Sequence, residues 1–82
     1  MTQKTYTEKQ GQYLAFIYSY TQIHGVPPAE ADLRRHFQTT APTVHGMIKR
    51  LTALGLVTRV PGKGRTLEIQ VDPKALPLLQ RP

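Results

Sequence analysis

Residues able to make or break bonds are few and scattered in this sequence. His24, His36 and His45 fall on three separate segments, without the spacing of metal ligands. The single serine, Ser19, has no neighbouring base, and the five carboxylates are dispersed. With no cysteine there is neither disulfide nor thiolate chemistry. No glycine loop of the phosphate-cradling kind precedes a helix. The chain is therefore expected to have no catalytic group, no metal, no cofactor and no small-molecule substrate. What the sequence concentrates is positive charge. No acid lies between Asp32 and Glu68, and that interval holds Arg34, Arg35, Lys49, Arg50, Arg59, Lys63 and Arg65. The remainder carries four basic and five acidic residues, and the whole chain is +6. A polyanion is the natural partner of such a block. A solvated basic surface is the plainer alternative.

The elements that must position these cations follow from cap and period signals. Eighty-two residues at 39% hydrophobic content make one small domain with a modest core. No apolar run approaches the roughly 18 residues of a membrane span, and MTQKTYTEKQ lacks a secretory apolar stretch. The default location is the cytoplasm. Residues 1–6 are expected to be flexible. Thr7 and Gln10 form a capping box that opens a helix running to about His24. Tyr13, Leu14, Ile17, Tyr20 and Thr21 line one face, with Phe16 at its margin, and Gly25 stops the helix. This aromatic row could stack bases, but at helical spacing it reads as core.

Val26-Pro27-Pro28 is an extended connector. A second helix runs from Ala29 to about Phe37, with Leu33 and Phe37 inward and Glu30 and Asp32 near its positive end. After the turn Gln38-Thr39-Thr40 comes the third helix, residues 40–55, capped by Thr40, with Pro42 in its first turn and Gly55 at its end. Val44, Met47, Ile48, Leu51 and Leu54 share its apolar face. Pro42, Gly46, Lys49 and Ala53 lie opposite, flanked by His45 and Arg50. That outer face is small, polar and basic, and can enter a groove. Residues 56–60 and 66–71 alternate as two strands, the second with Leu67, Ile69 and Val71 on one side, around the turn at 61–64. Arg59, Lys63 and Arg65 surround the hairpin tip. The fold class is mainly α with a small β-hairpin: a three-helix winged helix-turn-helix over 7–71. Residues 72–82 are a tail or linker with an apolar patch at 75–79.

Several strings resemble the DNA-binding domain of the LexA repressor family. They are Thr7-Glu8-Lys9-Gln10, His24-Gly25-Val26-Pro27-Pro28, Pro42-Thr43-Val44-His45 leading to Lys49, Gly55-Leu56-Val57, and Pro61-Gly62-Lys63. Leu76-Pro77-Leu78 is similar to the start of that family's linker. The resemblance implies sequence-specific binding of double-stranded DNA by a transcriptional regulator, a repressor, with the third helix in the major groove and wing 59–66 on the backbone. Carried over by position, Thr40, Pro42, Thr43, His45 and Gly46 read bases. Lys49, Arg50, Arg59, Lys63 and Arg65 meet phosphate. LexA repressors also carry a self-cleaving Ser/Lys peptidase domain that dimerises. The only serine here is Ser19, so the resemblance does not extend to self-cleavage or to that dimerisation.

The residue types limit how bases can be read. The chain has no asparagine, and Gln38 is the only amide side chain near the third helix, so bidentate adenine recognition is nearly excluded. Thr43 offers a methyl group for thymine, and His45 one hydrogen bond unless it is simply solvated. Gly46 either permits close approach to the groove floor or is a tolerated helix cost. A homodimer on adjacent half-sites is one arrangement such a domain uses, with the apolar tail as a candidate contact. The rival reading is a winged-helix module for a protein partner. RNA is disfavoured because its major groove is deep and narrow.

Overall fold

The computed structural model describes residues 5–81. Thr7 opens α1 (Glu8–His24) as the sequence predicts: its Oγ1 accepts from the Gln10 amide at 3.1 Å, and the Gln10 side chain accepts from the Thr7 amide at 2.8 Å. Gly25 ends the helix at φ 76°, a left-handed conformation that disfavours side chains, and its amide reaches the Thr21 carbonyl.

α2 (Glu30–Phe37) starts differently. Ala29 has no capping side chain, so Asp32 reaches back and accepts from the Ala29 amide at 2.8 Å. Gln38 takes the left-handed conformation that closes α2, and the turn delivers Thr40. The Thr40 hydroxyl then caps α3 (Ala41–Ala53) through the Thr43 amide and lies 2.8 Å from the Thr43 hydroxyl. At the far end the Leu56 amide bonds the Leu51 carbonyl across Gly55 at φ 75°, a Schellman closure.

One core joins these elements. Tyr13, Leu14 and Ile17 of α1 meet Leu33 of α2, Val44, Ile48 and Leu51 of α3, and Leu56, Val57 and Leu67 of the hairpin. Met47 is half-buried beside them. Leu54, expected on the same face, is 41% exposed. Ten residues after Val44, the helical period has rotated it to the edge of the stripe. The aromatic row is core only in part: Tyr13 is buried and stacks on the Phe37 ring with centroids 4.1 Å apart, Phe16 packs beside it, and Tyr18 and Tyr20 lie outside the core, Tyr20 accepting from Arg65. α1 is buried more widely than one stripe, since Gln10, Gly11 and Gln12 are also covered.

The hairpin is shorter than the sequence alternation implies. β1 (Val57–Thr58) pairs antiparallel with β2 (Glu68–Ile69), Val57 opposite Ile69 and Thr58 opposite Glu68. Beyond Thr58 a side chain replaces the ladder: Thr66 Oγ1 accepts from the Val60 amide at 2.9 Å. Arg65, at φ 56°, then turns the backbone out of extended geometry. Three helices and this two-stranded wing make a winged helix-turn-helix.

Residues 73–80 lie back along α1. After a short 3₁₀ turn at Pro73–Ala75, Gln12 donates to the Leu78 carbonyl at 2.9 Å and accepts from the Gln80 amide at 2.7 Å. Tyr6, placed by sequence with the flexible N-terminus, donates its hydroxyl to the Ala75 carbonyl at 2.6 Å and packs on the core. Residues 1–4 of that segment, and Pro82, lie outside the described residues.

Candidate nucleic-acid interface

Burial of Val44, Ile48 and Leu51 leaves the other side of α3 outward. Thr40, Pro42, Thr43, His45, Gly46, Lys49 and Arg50 are all exposed. Nothing stands within 4 Å of where a Cβ would sit on Gly46. The helix backbone is therefore bare at that point. The Thr40 and Thr43 hydroxyls are already bonded to one another, so each retains only part of its capacity for another partner.

The cations divide into two sets. Arg59 Nη1 contacts Glu30 Oε2 at 3.1 Å. Arg65 Nη1 lies 3.2 Å from Asp32 Oδ2 and 3.2 Å from the Tyr20 hydroxyl, with the Pro27 carbonyl also in reach. Arg35 pairs with the other Asp32 oxygen. These three arginines are committed to the two acids of α2. No ion pair to Arg34, Lys49, Arg50 or Lys63 occurs among the described residues. Within the basic block from Arg34 to Arg65, the positive charge without an acidic partner thus lies on α3, on the wing tip and on Arg34; Lys9, Lys74 and Arg81 carry unpaired charge elsewhere among the described residues. Arg34 was not among the residues expected to meet phosphate. It lines a small cleft with Glu30, Ala31 and Ala41, at the start of α3. Its exposed place late in α2 was the available signal.

Asp32 is the anchor of this arrangement. Burial alone would raise its carboxyl, but the Ala29 amide, Arg35 and Arg65 outweigh burial and hold it below the usual carboxylate range. Reciprocally, the Tyr20 hydroxyl and Asp32 push the Arg65 guanidinium further up. Glu30 is more open, at 40% exposure, and also lies 3.7 Å from His45 Nδ1. One carboxylate oxygen therefore reaches both the base of the wing and the exposed side of α3.

Other chemistry finds no footing among the described residues. No three His, Cys, Asp or Glu side chains are grouped to hold a metal ion. No helix is long and apolar enough to cross a membrane.

Comparison with known proteins agrees with this geometry. The family model described as LexA DNA binding domain matches residues 3–66. The LexA repressor of Thermosipho melanesiensis is 35% identical over 66 residues, covering 80% of this chain and 33% of that protein. That of Clostridium perfringens is 37% identical over 67 residues, with the same shares. That of Limosilactobacillus fermentum is 38% identical over 64 residues, 77% of this chain and 31% of that protein. The chain spans about a third of the length of these relatives. A winged helix-turn-helix whose third helix presents a bare basic side, together with these matches, shows that the chain belongs to the LexA DNA-binding domain family.

Proposed function

We propose that the chain binds double-stranded DNA sequence-specifically as a LexA-like transcriptional repressor, with residues 40–55 in the major groove and wing 59–66 on the backbone. One observation carries this reading. The uncovered side of α3 carries two cations without an acidic partner, Lys49 and Arg50, and the wing carries a third, Lys63. Thr40, Pro42, Thr43, His45 and Gly46 face the base edges. Lys49, Arg50 and Lys63 meet phosphates, joined by Arg34 beside the start of α3. Arg59 and Arg65 offer phosphate only guanidinium groups whose charge Glu30 and Asp32 already share.

Affinity then comes mainly from counterion release and falls steeply with salt. Specificity rests on few groups, chiefly the Thr43 methyl and His45. A second copy on a neighbouring half-site supplies the remaining affinity. Selection from random duplex DNA at about 150 mM salt tests this. Enrichment of one sequence, repeated at helical spacing, is expected. Recovery of no preferred sequence, with salt-insensitive retention, would overturn the reading and favour a winged helix that serves a protein partner.

A further inference from the structure

We propose that Glu30 is a specificity-determining residue that suppresses non-specific DNA binding by taking Arg59 out of the free cation pool. This rests on the DNA-binding reading above. Sequence-independent affinity is set by how many cations the protein can place on phosphates. Of the cations expected on the wing, Arg59 is bonded to Glu30 Oε2 at 3.1 Å. The same oxygen stands 3.7 Å from His45 Nδ1, so the carboxylate is beside a candidate base-reading group and not on a remote surface. Glu30 is 40% exposed and Arg59 31%, so a DNA phosphate can compete for the guanidinium.

That competition yields little net counterion release. When Arg59 moves from Glu30 to a phosphate, the positive charge placed on the DNA is offset by the negative charge of the abandoned carboxylate beside it. The pair is therefore nearly silent in the salt dependence whichever partner Arg59 holds. A carboxylate next to His45 also repels any DNA register that sets a phosphate, in place of a base edge, against His45. Correct docking on base edges avoids this repulsion, while indiscriminate docking does not. Asp32 does not share the role. It is 9% exposed and is bound to the Ala29 amide, so it belongs to the fold.

Glu30→Gln keeps the side-chain shape and removes the charge. Binding to a mixed-sequence duplex is measured by anisotropy from about 50 to 200 mM salt, for wild type, Glu30→Gln, Arg59→Gln and the double variant. The single Glu30→Gln change is expected to steepen the salt slope by about one unit, which makes the loss over that range about fourfold larger. It should strengthen mixed-sequence binding more than binding to the selected site, and Arg59→Gln in the same chain should abolish the gain. In DNA-free protein, urea unfolding of the same four chains should show coupling between the two positions. A wild type that binds with normal salt dependence, and a Glu30→Gln slope equal to it, would overturn the role of Glu30 alone. A wild type with no salt-dependent affinity for duplex would overturn the DNA reading, and this role with it.

Discussion

A Cβ added to Gly46 would meet no atom within 4 Å, so alanine fits there without strain. Glycine costs about 1 kcal/mol relative to alanine inside a helix. Gly46→Ala should therefore raise unfolding stability by about that amount, read from urea denaturation. If the bare backbone serves approach to a groove, the same change weakens binding to the selected site; equal or tighter binding would make the glycine a tolerated cost. Lys49→Ala should leave stability nearly unchanged and lower the salt slope by about one unit, and an unaltered slope would remove Lys49 from the phosphate contacts. A third residue reports through pH. His36 packs against the Phe16 and Phe37 rings, with centroids at 4.5 and 4.7 Å, and its Nε2 is buried without a hydrogen bond of good geometry. Burial pushes its imidazole below the ordinary value; the nearby Gln80 backbone opposes this and Lys9 adds to it. A histidine depressed in the folded state is protonated first in the unfolded chain. Its contribution is fully present above the unfolded value of about 6.5 and is lost as pH falls through the folded one. Unfolding free energy should thus decline as pH falls below about 6.5, and His36→Gln should flatten that decline. A decline undiminished in the variant would assign it to another group.

At the scale of elements, α2 is the part that sets the wing. Its Asp32 caps its own helix through Ala29 and holds Arg65, while Glu30 holds Arg59. Asp32→Ala removes a cap and a buried ionic partner together, at a cost of about 2 kcal/mol or more. Amide exchange at residues 60–66 should accelerate in that variant well beyond its effect on α1. Uniform acceleration would mean that the wing does not depend on Asp32. Glu30→Ala should cost less than about 1 kcal/mol, because that pair is partly solvated. These links also mark where the sequence was legible. The Thr7 and Thr40 caps, the Gly25 and Gly55 stops and the Val44, Ile48, Leu51 stripe are signalled within a few residues, and each is found where local chemistry places it. The strands were read too long because alternation at 56–60 and 66–71 says nothing about Thr66 taking over the ladder. The exposure of Pro42, His45, Gly46, Lys49 and Arg50 on α3 was legible from its period, whereas Thr40 and Thr43 were named as base readers only through the family resemblance. The pairing of Arg59 and Arg65 was not, since their partners lie 29 and 33 residues away in the chain. A linear count credits those arginines to the basic surface, whereas folding spends their charge on α2.

On the scale of the whole molecule, the segment after Asp72 closes α1 on the side that α2 and α3 leave open. Gln12 bonds it twice, Tyr6 bonds the Ala75 carbonyl, and Leu76 packs against the core. Gly11 makes this approach feasible: a Cβ there would lie 2.9 Å from Tyr6 Cε1 and 3.1 Å from Pro77 Cγ. Ending the chain at Asp72 removes those bonds and part of the apolar cover, which should cost about 2–3 kcal/mol in unfolding stability. Gly11→Ala offers an independent reading of the same contact. In the full chain its methyl displaces Tyr6 and Pro77, so stability falls despite the better helix former. In the shortened chain Pro77 is gone and Tyr6 has lost its Ala75 anchor, so the methyl finds room and the helix preference of about 1 kcal/mol reappears as a gain. A change of sign between the two backgrounds is the expected result. Sedimentation then separates this role from assembly, because removing a segment satisfied within its own chain leaves the number of chains per particle unchanged. If truncation instead lowered that number at matched concentration without lowering stability, the segment would belong to a second copy, and the closure of α1 would form between chains.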